Sequence, residues 1–386
     1  MKHKFISKRY WNNISTPLGE SSNLVNKYND IINFSLGDPD RTTDARIIKA
    51  AFEDAVNGHT HYTDSLGDLE LRQEICAYYK TKYNYDVSVD ECIITTSGCH
   101  AMWLALEAIL DDGDEVIIHE PYFTPYLQQI KLARGVPVIL KTNEEEEFQI
   151  NPKKLEKLIT NRTKAVIINT PNNPTGTCFS KNTLQSIVDI ANRYDILVIA
   201  DDIYTLFSYS EPFIPITTLN EMRERTITIG SFSKDYAMTG WRIGFIITKD
   251  FIVKTIKDIN ENNIFTAPSI SQRAALHALR MRDEVQPDIA YEYQKRIMYG
   301  YGRLNNIHKL SVLYPRGGIY LFVNIKETGL KSEEVANKIF EESHVLVIPG
   351  SAFGESGEGY IRLAMTVGIE KMKDAFDRIE KISIFK

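Results

Sequence analysis

Between residues 90 and 250 the chain alternates, and this alternation limits the fold more than any other feature. Seven short runs rich in β-branched residues recur there: ECIITT, DEVIIH, GVPVILK, KAVIIN, DILVIA, RTITIG and IGFIIT. Helix-like stretches often separate them. AMWLALEAIL is apolar nearly all round, which suits a buried helix. KNTLQSIVDIANRY sets Leu184, Ile187, Val188 and Ala191 on one face, as an amphipathic helix requires. The pattern predicts an α/β fold, with a large domain whose mostly parallel sheet is covered by helices on both faces. Ligands of such sheets gather beyond the carboxyl ends of the strands.

The texture changes after about residue 270. A long polar helical region leads into GGIYLFVNI, a helix at SEEVANKIFEE, the strands VLVIPG and YIRLAM, and a last helix. This reads as a smaller α+β domain. The expected division is 46–270 for the large cofactor-binding domain, and 1–45 with 271–386 for the small one, with the boundary near residues 266–271. The acidic run at 143–147 reads as a solvated loop tip. A length of 386 residues suits such a two-part architecture.

Charge and composition exclude several classes. A formal charge of −6 does not suit a nucleic-acid surface, which needs a basic field. No run of eighteen apolar residues marks a membrane span, and the first residues do not read as a secretory signal. Cys76, Cys92, Cys99 and Cys178 lack metal-type spacing and read as reduced thiols of a cytoplasmic protein. No metal site is expected.

Five polar clusters fall at expected strand ends. TTSGCHAMW turns a strand into the buried helix, and free N–H groups at such a start suit a phosphate, although taken alone a plain strand–helix turn explains it better. In NTPNNPTGT, Asn173 precedes Pro174 and is a candidate for a cis turn. ADDIY sets Asp201 directly after an apolar strand, where a carboxylate needs a partner or caps the next segment. Tyr204 stands three residues on. SFSKDYAMTGWRIG holds Ser231, Ser233, Lys234 and Arg242, which could surround one anion, or be a surface amine and an ion pair. In YIRLAM, Arg362 points away from Ile361, Leu363 and Met365, either to an exposed sheet face or to a carboxylate. Together the clusters supply a phosphate cradle, a carboxylate, a phenol, an amide, a lysine and a second arginine. That set fits pyridoxal 5′-phosphate, whose aldehyde condenses with a lysine and whose ring withdraws electrons from the substrate.

On NNPTG, DDIY and SFSKDYAMTGWRIG, in that order, the chain resembles the class I/II aminotransferases, the fold-type I pyridoxal-phosphate enzymes. The likeness runs from FSLGDPD to YIRLAM. It implies that Lys234 carries the cofactor and that Asp201 pairs with its ring nitrogen. Tyr204 and Asn173 would bond the ring's 3′ oxygen, and Phe123 would stack on the ring. Gly98 and Cys99 N–H groups, with Ser231, Ser233 and Arg242, would hold the phosphate. Arg362 would grip the substrate carboxylate, with Asn173 beside it, and Gly37 would let backbone approach. Tyr62 would reach the phosphate of a neighbouring subunit, so a homodimer with shared sites is implied. Two departures stand out: Asp202 replaces the usual glutamate of DEIY, and Cys99 and His100 replace small or amide residues.

The implied activity moves an amino group between an L-amino acid and a 2-oxo acid. It needs a neutral Lys234, and burial with Arg242 nearby would lower that amine's pKa. The same clusters would serve a carbon–sulfur lyase, a decarboxylase or an amino-acid cyclase. A non-catalytic amino-acid sensor would need a DNA-binding segment, and a nucleotide-binding protein a phosphate loop; neither is found. The substrate side-chain pocket is expected to depend on residues such as 14–18.

Overall fold

The computed structural model describes residues 3–11 and 27–386. Thirteen strands run along the described chain: β1 (Ile32–Asn33), β2 (Cys92–Thr95), β3 (Glu115–Glu120), β4 (Val136–Lys141), β5 (Thr163–Asn169), β6 (Leu197–Asp201), β7 (Thr226–Ser231), β8 (Gly244–Ile247), β9 (Ser311–Val312), β10 (Tyr320–Asn324), β11 (Val345–Leu346), β12 (Ile348–Pro349) and β13 (Tyr360–Ala364). Eleven α-helices accompany them: α1 (Ala45–Val56), α2 (Leu69–Tyr83), α3 (Gly98–Ile109), α4 (Pro125–Leu132), α5 (Pro152–Leu158), α6 (Lys181–Tyr194), α7 (Asp250–Glu261), α8 (Ser269–Arg280), α9 (Arg282–Leu304), α10 (Ser332–Ser343) and α11 (Ile369–Ile379).

Each of the seven apolar runs forms a strand, and all seven join one sheet in the order β2-β8-β7-β6-β5-β3-β4. Only β8 runs antiparallel to its neighbours. Strand residues alternate between the two faces. On β5, Ala165 and Ile167 pack with Ile118, Ile199, Ile229 and the apolar side of α3 and α7. Val166 and Ile168 pack on the other face with Ile117, Val198, Leu184, Ile187 and Val188, the last three from α6. Burial on both faces is why these strands lack a polar side. Each fully buried Ile or Val contributes roughly 1.5–3 kcal/mol, so sheet and helices cover one another.

The helix limits follow from their caps. Ser97 Oγ accepts from His100 N–H at 3.0 Å and starts α3 at the end of β2. Ser180 Oγ accepts from Thr183 N–H at 3.1 Å and starts α6, which Asp195 ends in the left-handed conformation. Both side chains satisfy donors that the first helical turn leaves unpaired.

The later part of the chain builds a four-stranded antiparallel sheet, β12-β13-β10-β9. VLVIPG does not make one strand there. Val345–Leu346 pairs in parallel with β1, and Ile348–Pro349 pairs with β13, so this run serves two sheets. The acidic run at 143–147 also differs from a solvated tip. Glu144 accepts from Asn324 Nδ2 and Tyr360 Oη, Glu146 from Lys154 and Asn151, and Glu147 from Arg316. Glu144 thereby ties the turn to β10 and β13 of the smaller sheet, Glu146 ties it to the start of α5, and Glu145 stays exposed.

Residues 33–43 run between the two sheets. Phe34 N–H donates to Leu346 O at 2.8 Å, and Ala364 N–H donates to Phe34 O at 2.9 Å. Thr239 Oγ1 donates to Asp38 at 2.6 Å, Thr43 Oγ1 donates to Ala237 O at 2.7 Å, and Arg296 pairs with Asp40 at 2.8 Å. This segment thus bridges the smaller sheet and the loop after β7.

Candidate active site

β2, β5, β6 and β7 point their carboxyl ends to one edge of the large sheet. Beyond that edge lies a cleft of about 470 Å³. Gly37, Gly98, Cys99, Phe123, Asn173, Tyr204, Ser231, Ser233, Lys234, Arg242 and Arg362 all line it. Asp201 does not line the cleft; it lies buried at the carboxyl end of β6, three residues before the lining Tyr204. Tyr62 stands apart from the other singled-out residues. Its ring is 83% exposed and meets Phe265 edge-on at 5.0 Å, outside the cleft of its own chain. Residues 14–18, expected to shape the side-chain pocket, lie outside the described residues.

Lys234 follows β7 in a short loop. Its side chain is half-buried, and Nζ donates to the carbonyl oxygen of Gly37. Burial lowers its pKa to about 8; Asp38 opposes the shift, while Arg242 and Arg362 assist it. Gly37 is required by close approach: a Cβ there would lie 2.0 Å from Tyr320 Oη. Tyr320 Oη in turn hydrogen-bonds Tyr204 Oη at 2.8 Å. Burial holds both phenols above their ordinary range, so both are neutral near pH 7.

Asp201 carries two distinct oxygens. Oδ2 accepts from Tyr126 Oη, and Oδ1 is buried with no protein partner among the described residues. Burial pushes this carboxyl up to about 7, and the Tyr126 bond pulls it down. Asn169, beside it on β5, donates from Nδ2 to Asp201 O at 2.9 Å and accepts from Asn173 N–H at 2.8 Å. The bond between Asn173 and Pro174 is cis.

Arg362 is buried, with 1% of its surface exposed, so the sheet face it occupies is not a solvent face. Nη1 donates to Asn173 Oδ1 at 3.1 Å and Nη2 donates to Ser35 O. The guanidinium lies over the rings of Tyr320 and Phe353, 4.6 and 4.9 Å from their centroids. Nε has no protein partner among the described residues.

At the other end of the cleft, Gly98 and Cys99 open α3, where N–H groups lie beyond intrahelical pairing. The packing there is tight: a Cβ on Gly244 would lie 2.7 Å from Gly98 N. Ser231 Oγ accepts from Ser233 N–H at 3.1 Å. Arg242, in the left-handed conformation, donates from Nη1 to Thr239 O at 2.8 Å. His100 stacks on Trp103 at 6.0 Å, and burial lowers its pKa to about 4, so it is neutral.

Sequence reasoning missed Tyr126, Tyr320, Asp38 and Thr239. Tyr126 stands three residues after Phe123 on the helix begun by Pro125, a spacing that could have flagged it. Nothing in GGIYLFVNI separates Tyr320 from a packing tyrosine.

The arrangement joins a depressed lysine, a buried carboxyl with one open oxygen, paired phenols, an anion-suited helix start and a buried arginine. The family described as aminotransferase class I and II matches residues 29–379. The chain is 36% identical over 383 residues to an aspartate aminotransferase of Pyrococcus horikoshii, covering 98% of this chain and 97% of the relative. It is 38% identical over 356 residues to aromatic-amino-acid aminotransferase 2 of Thermococcus litoralis, covering 91% of each. The structure of aspartate aminotransferase from Thermus thermophilus with maleate is similar at a TM-score of 0.93 and 27% identity, covering 99% of this chain and 100% of that one.

Proposed function

The chain belongs to the class I and II aminotransferases, and from that premise we propose that it works through pyridoxal 5′-phosphate carried by Lys234. It is an aminotransferase, moving an amino group between an amino acid and a 2-oxo acid. The observation that carries the proposal is that Lys234 and Arg362 line one cleft, while Asp201 Oδ1 at the end of β6 is buried without a protein partner among the described residues. A buried carboxylate oxygen without a partner suits a cationic ring nitrogen, and the α3 start beside Ser231, Ser233 and Arg242 suits a phosphate. The residues therefore fit the cofactor.

When bound, pyridoxal phosphate supplies an aldehyde for the amino group and a ring that withdraws electrons from the substrate α-carbon. The chain supplies the rest. Asp201 would place its carboxylate by the ring nitrogen, and a cationic partner there would favour the charged carboxylate against the effect of burial. Asn173 and Tyr204 would donate to the ring oxygen, and Phe123, which lines the cleft, would pack against the ring. Arg362 binds the substrate carboxylate through its planar fork. Lys234, with a pKa of about 8, is neutral in a useful fraction near pH 7 and can take and return a proton at Nζ.

Three finer readings belong to the same proposal. The exposed Tyr62 supports a homodimer in which it enters the partner's site. Four free cysteines support a reducing, cytoplasmic setting. We divide the chain into 46–270 and the pair 1–45 with 271–386, supported by the seven-stranded sheet within the first and the four-stranded sheet within the second. The experiment is a half-reaction screen. Purified protein with bound cofactor is mixed with each amino acid, and its absorbance is followed. Loss of the cofactor's absorbance band with at least one amino acid is expected; a band that none of them alters would overturn the reading.

A further inference from the structure

Glu120 closes β3 at its carboxyl end and is buried. Its carboxylate reaches across to the smaller sheet. Oε1 accepts from Glu355 N–H at 2.9 Å, and Oε2 accepts from Ser356 N–H at 3.1 Å and from Ser356 Oγ at 2.8 Å. We propose, resting on the reading above, that Glu120 is a positioning residue for substrate binding: its carboxylate ties the β12–β13 connection to the large sheet and so holds the Phe353 ring against Arg362.

The connection lies where it can act on Arg362. β12 and β13 pair antiparallel, with Ile348 opposite Arg362. Between them Phe353 is fully buried, and its ring centroid lies 4.9 Å from the Arg362 guanidinium. The end of β3 grips this stretch twice. Besides the Glu120 carboxylate, Tyr122 N–H donates to Phe353 O at 3.1 Å. Glu120 is itself anchored at the sheet edge, because Thr142 donates to Glu120 O from its N–H at 2.9 Å and from Oγ1 at 2.7 Å.

There is little slack between the carboxylate and the ring. Gly354 joins Phe353 to Glu355 with φ at +107°, and a Cβ there would lie 1.9 Å from Glu120 Oε1. Gly357 N–H donates to Gly354 O at 3.0 Å and closes the turn. Lys141 and Glu355 also pair across the two parts at 2.8 Å, but both side chains are exposed, and such a pair contributes little in water. The buried carboxylate is the stronger tie, since hydrogen bonds to a carboxylate exceed neutral ones. An aromatic face beside a guanidinium attracts it and keeps water away. A Phe353 ring set loose would give up both effects at Arg362.

Glu120→Gln keeps the side-chain volume but turns an amide donor toward an N–H of the loop. KM for the amino acid that reacts in the half-reaction screen is measured beside kcat, pyridoxal phosphate affinity and the apoprotein melting temperature. KM should rise about three- to tenfold, part of the roughly ten- to hundredfold that losing a charge-assisted hydrogen bond directly would cost. Turnover and cofactor affinity should stay near the parent's, as they do when ground state and transition state lose the same binding. In a Phe353→Leu background the same change should add little, because the ring it serves is gone. Three outcomes would overturn the proposal and leave Lys234 standing: an unchanged KM whatever the melting temperature, a cofactor loss as large as the rise in KM, or an equal rise in the Phe353→Leu background. A parent whose absorbance band no amino acid alters would sink both readings. Should Glu120→Gln not fold, Ser356→Ala removes only the hydroxyl bonded to Oε2 and should raise KM in the same direction; an unchanged KM there would overturn the proposal.

Discussion

Arg362 Nη1 donates to Asn173 Oδ1 across 3.1 Å, linking residues 189 positions apart in the chain. One comes from β13 of the smaller sheet and the other from the loop after β5. The proposed carboxylate grip and the proposed cofactor contact are thus one hydrogen-bonded unit. Each reaches its place only when both sheets are packed.

Arg362→Lys keeps a charge but loses the fork and the stacking. The KM for the amino donor should rise about 10- to 100-fold, the scale of a lost charge-assisted bond. Pyridoxal phosphate affinity should change far less, because Asp201, Lys234 and the α3 start remain. Steady-state kinetics beside cofactor titration check this; a larger loss of cofactor than of substrate affinity would refute the assignment.

Lys234→Ala should remove the covalent link and the proton carrier together. Borohydride reduction with peptide mass mapping should find the cofactor on the 234 peptide of the parent and none on the variant. Turnover should drop by at least about a thousandfold, since general acid–base help alone is worth roughly 10²–10⁴. Native turnover in the variant would end the mechanism.

Gly37→Ala puts a Cβ where Tyr320 Oη now lies, 2.0 Å away. Tyr320 or the Gly37 backbone must move, which disturbs the 2.8 Å bond between Tyr320 and Tyr204. A backbone or ring shift of that kind should cut kcat/KM about tenfold or more, given the steep dependence of rate on placement. The pairing of Gly37→Ala with Tyr320→Phe tests the cause: the double variant should recover part of the loss, since the colliding hydroxyl is gone.

Asp235, beside the proposed cofactor lysine, is buried, and its carboxyl is pushed up to about 8; Thr205 Oγ1 approaches Oδ2 at 3.4 Å and pulls the other way. Between pH 4 and 8 the folded chain holds a proton there that the unfolded chain has released. The stability from this group is fully present below about pH 4 and is lost as pH rises through 8. Urea unfolding of the apoprotein should therefore show the parent losing stability from pH 5 to 8 relative to Asp235→Asn, by at most about 1.4 kcal/mol per pH unit. Parallel profiles would show that Asp235 is ionised in the folded state.

The sequence by itself determined the large sheet and the polar clusters at its edge. Runs such as KAVIIN and DILVIA are apolar at both strand faces, and only a covered sheet can bury both. The spacing of KNTLQSIVDIANRY matched its helix at both ends because Ser180 and Asp195 cap it locally. Asp201 and Ser231 were legible because they close apolar strands, and Asn173 and Lys234 because they stand in the short loops that follow β5 and β7. Tertiary structure decided what depends on distant partners. Arg362 could have faced water until β10, Tyr320 and Phe353 covered it. VLVIPG was divided between two sheets because its first half pairs with β1, far away in the chain, and its second half with the nearby β13. Tyr126 acquired a carboxylate partner 75 residues away. Local periodicity records burial along one element, whereas a hydrogen bond across elements exists only after they pack.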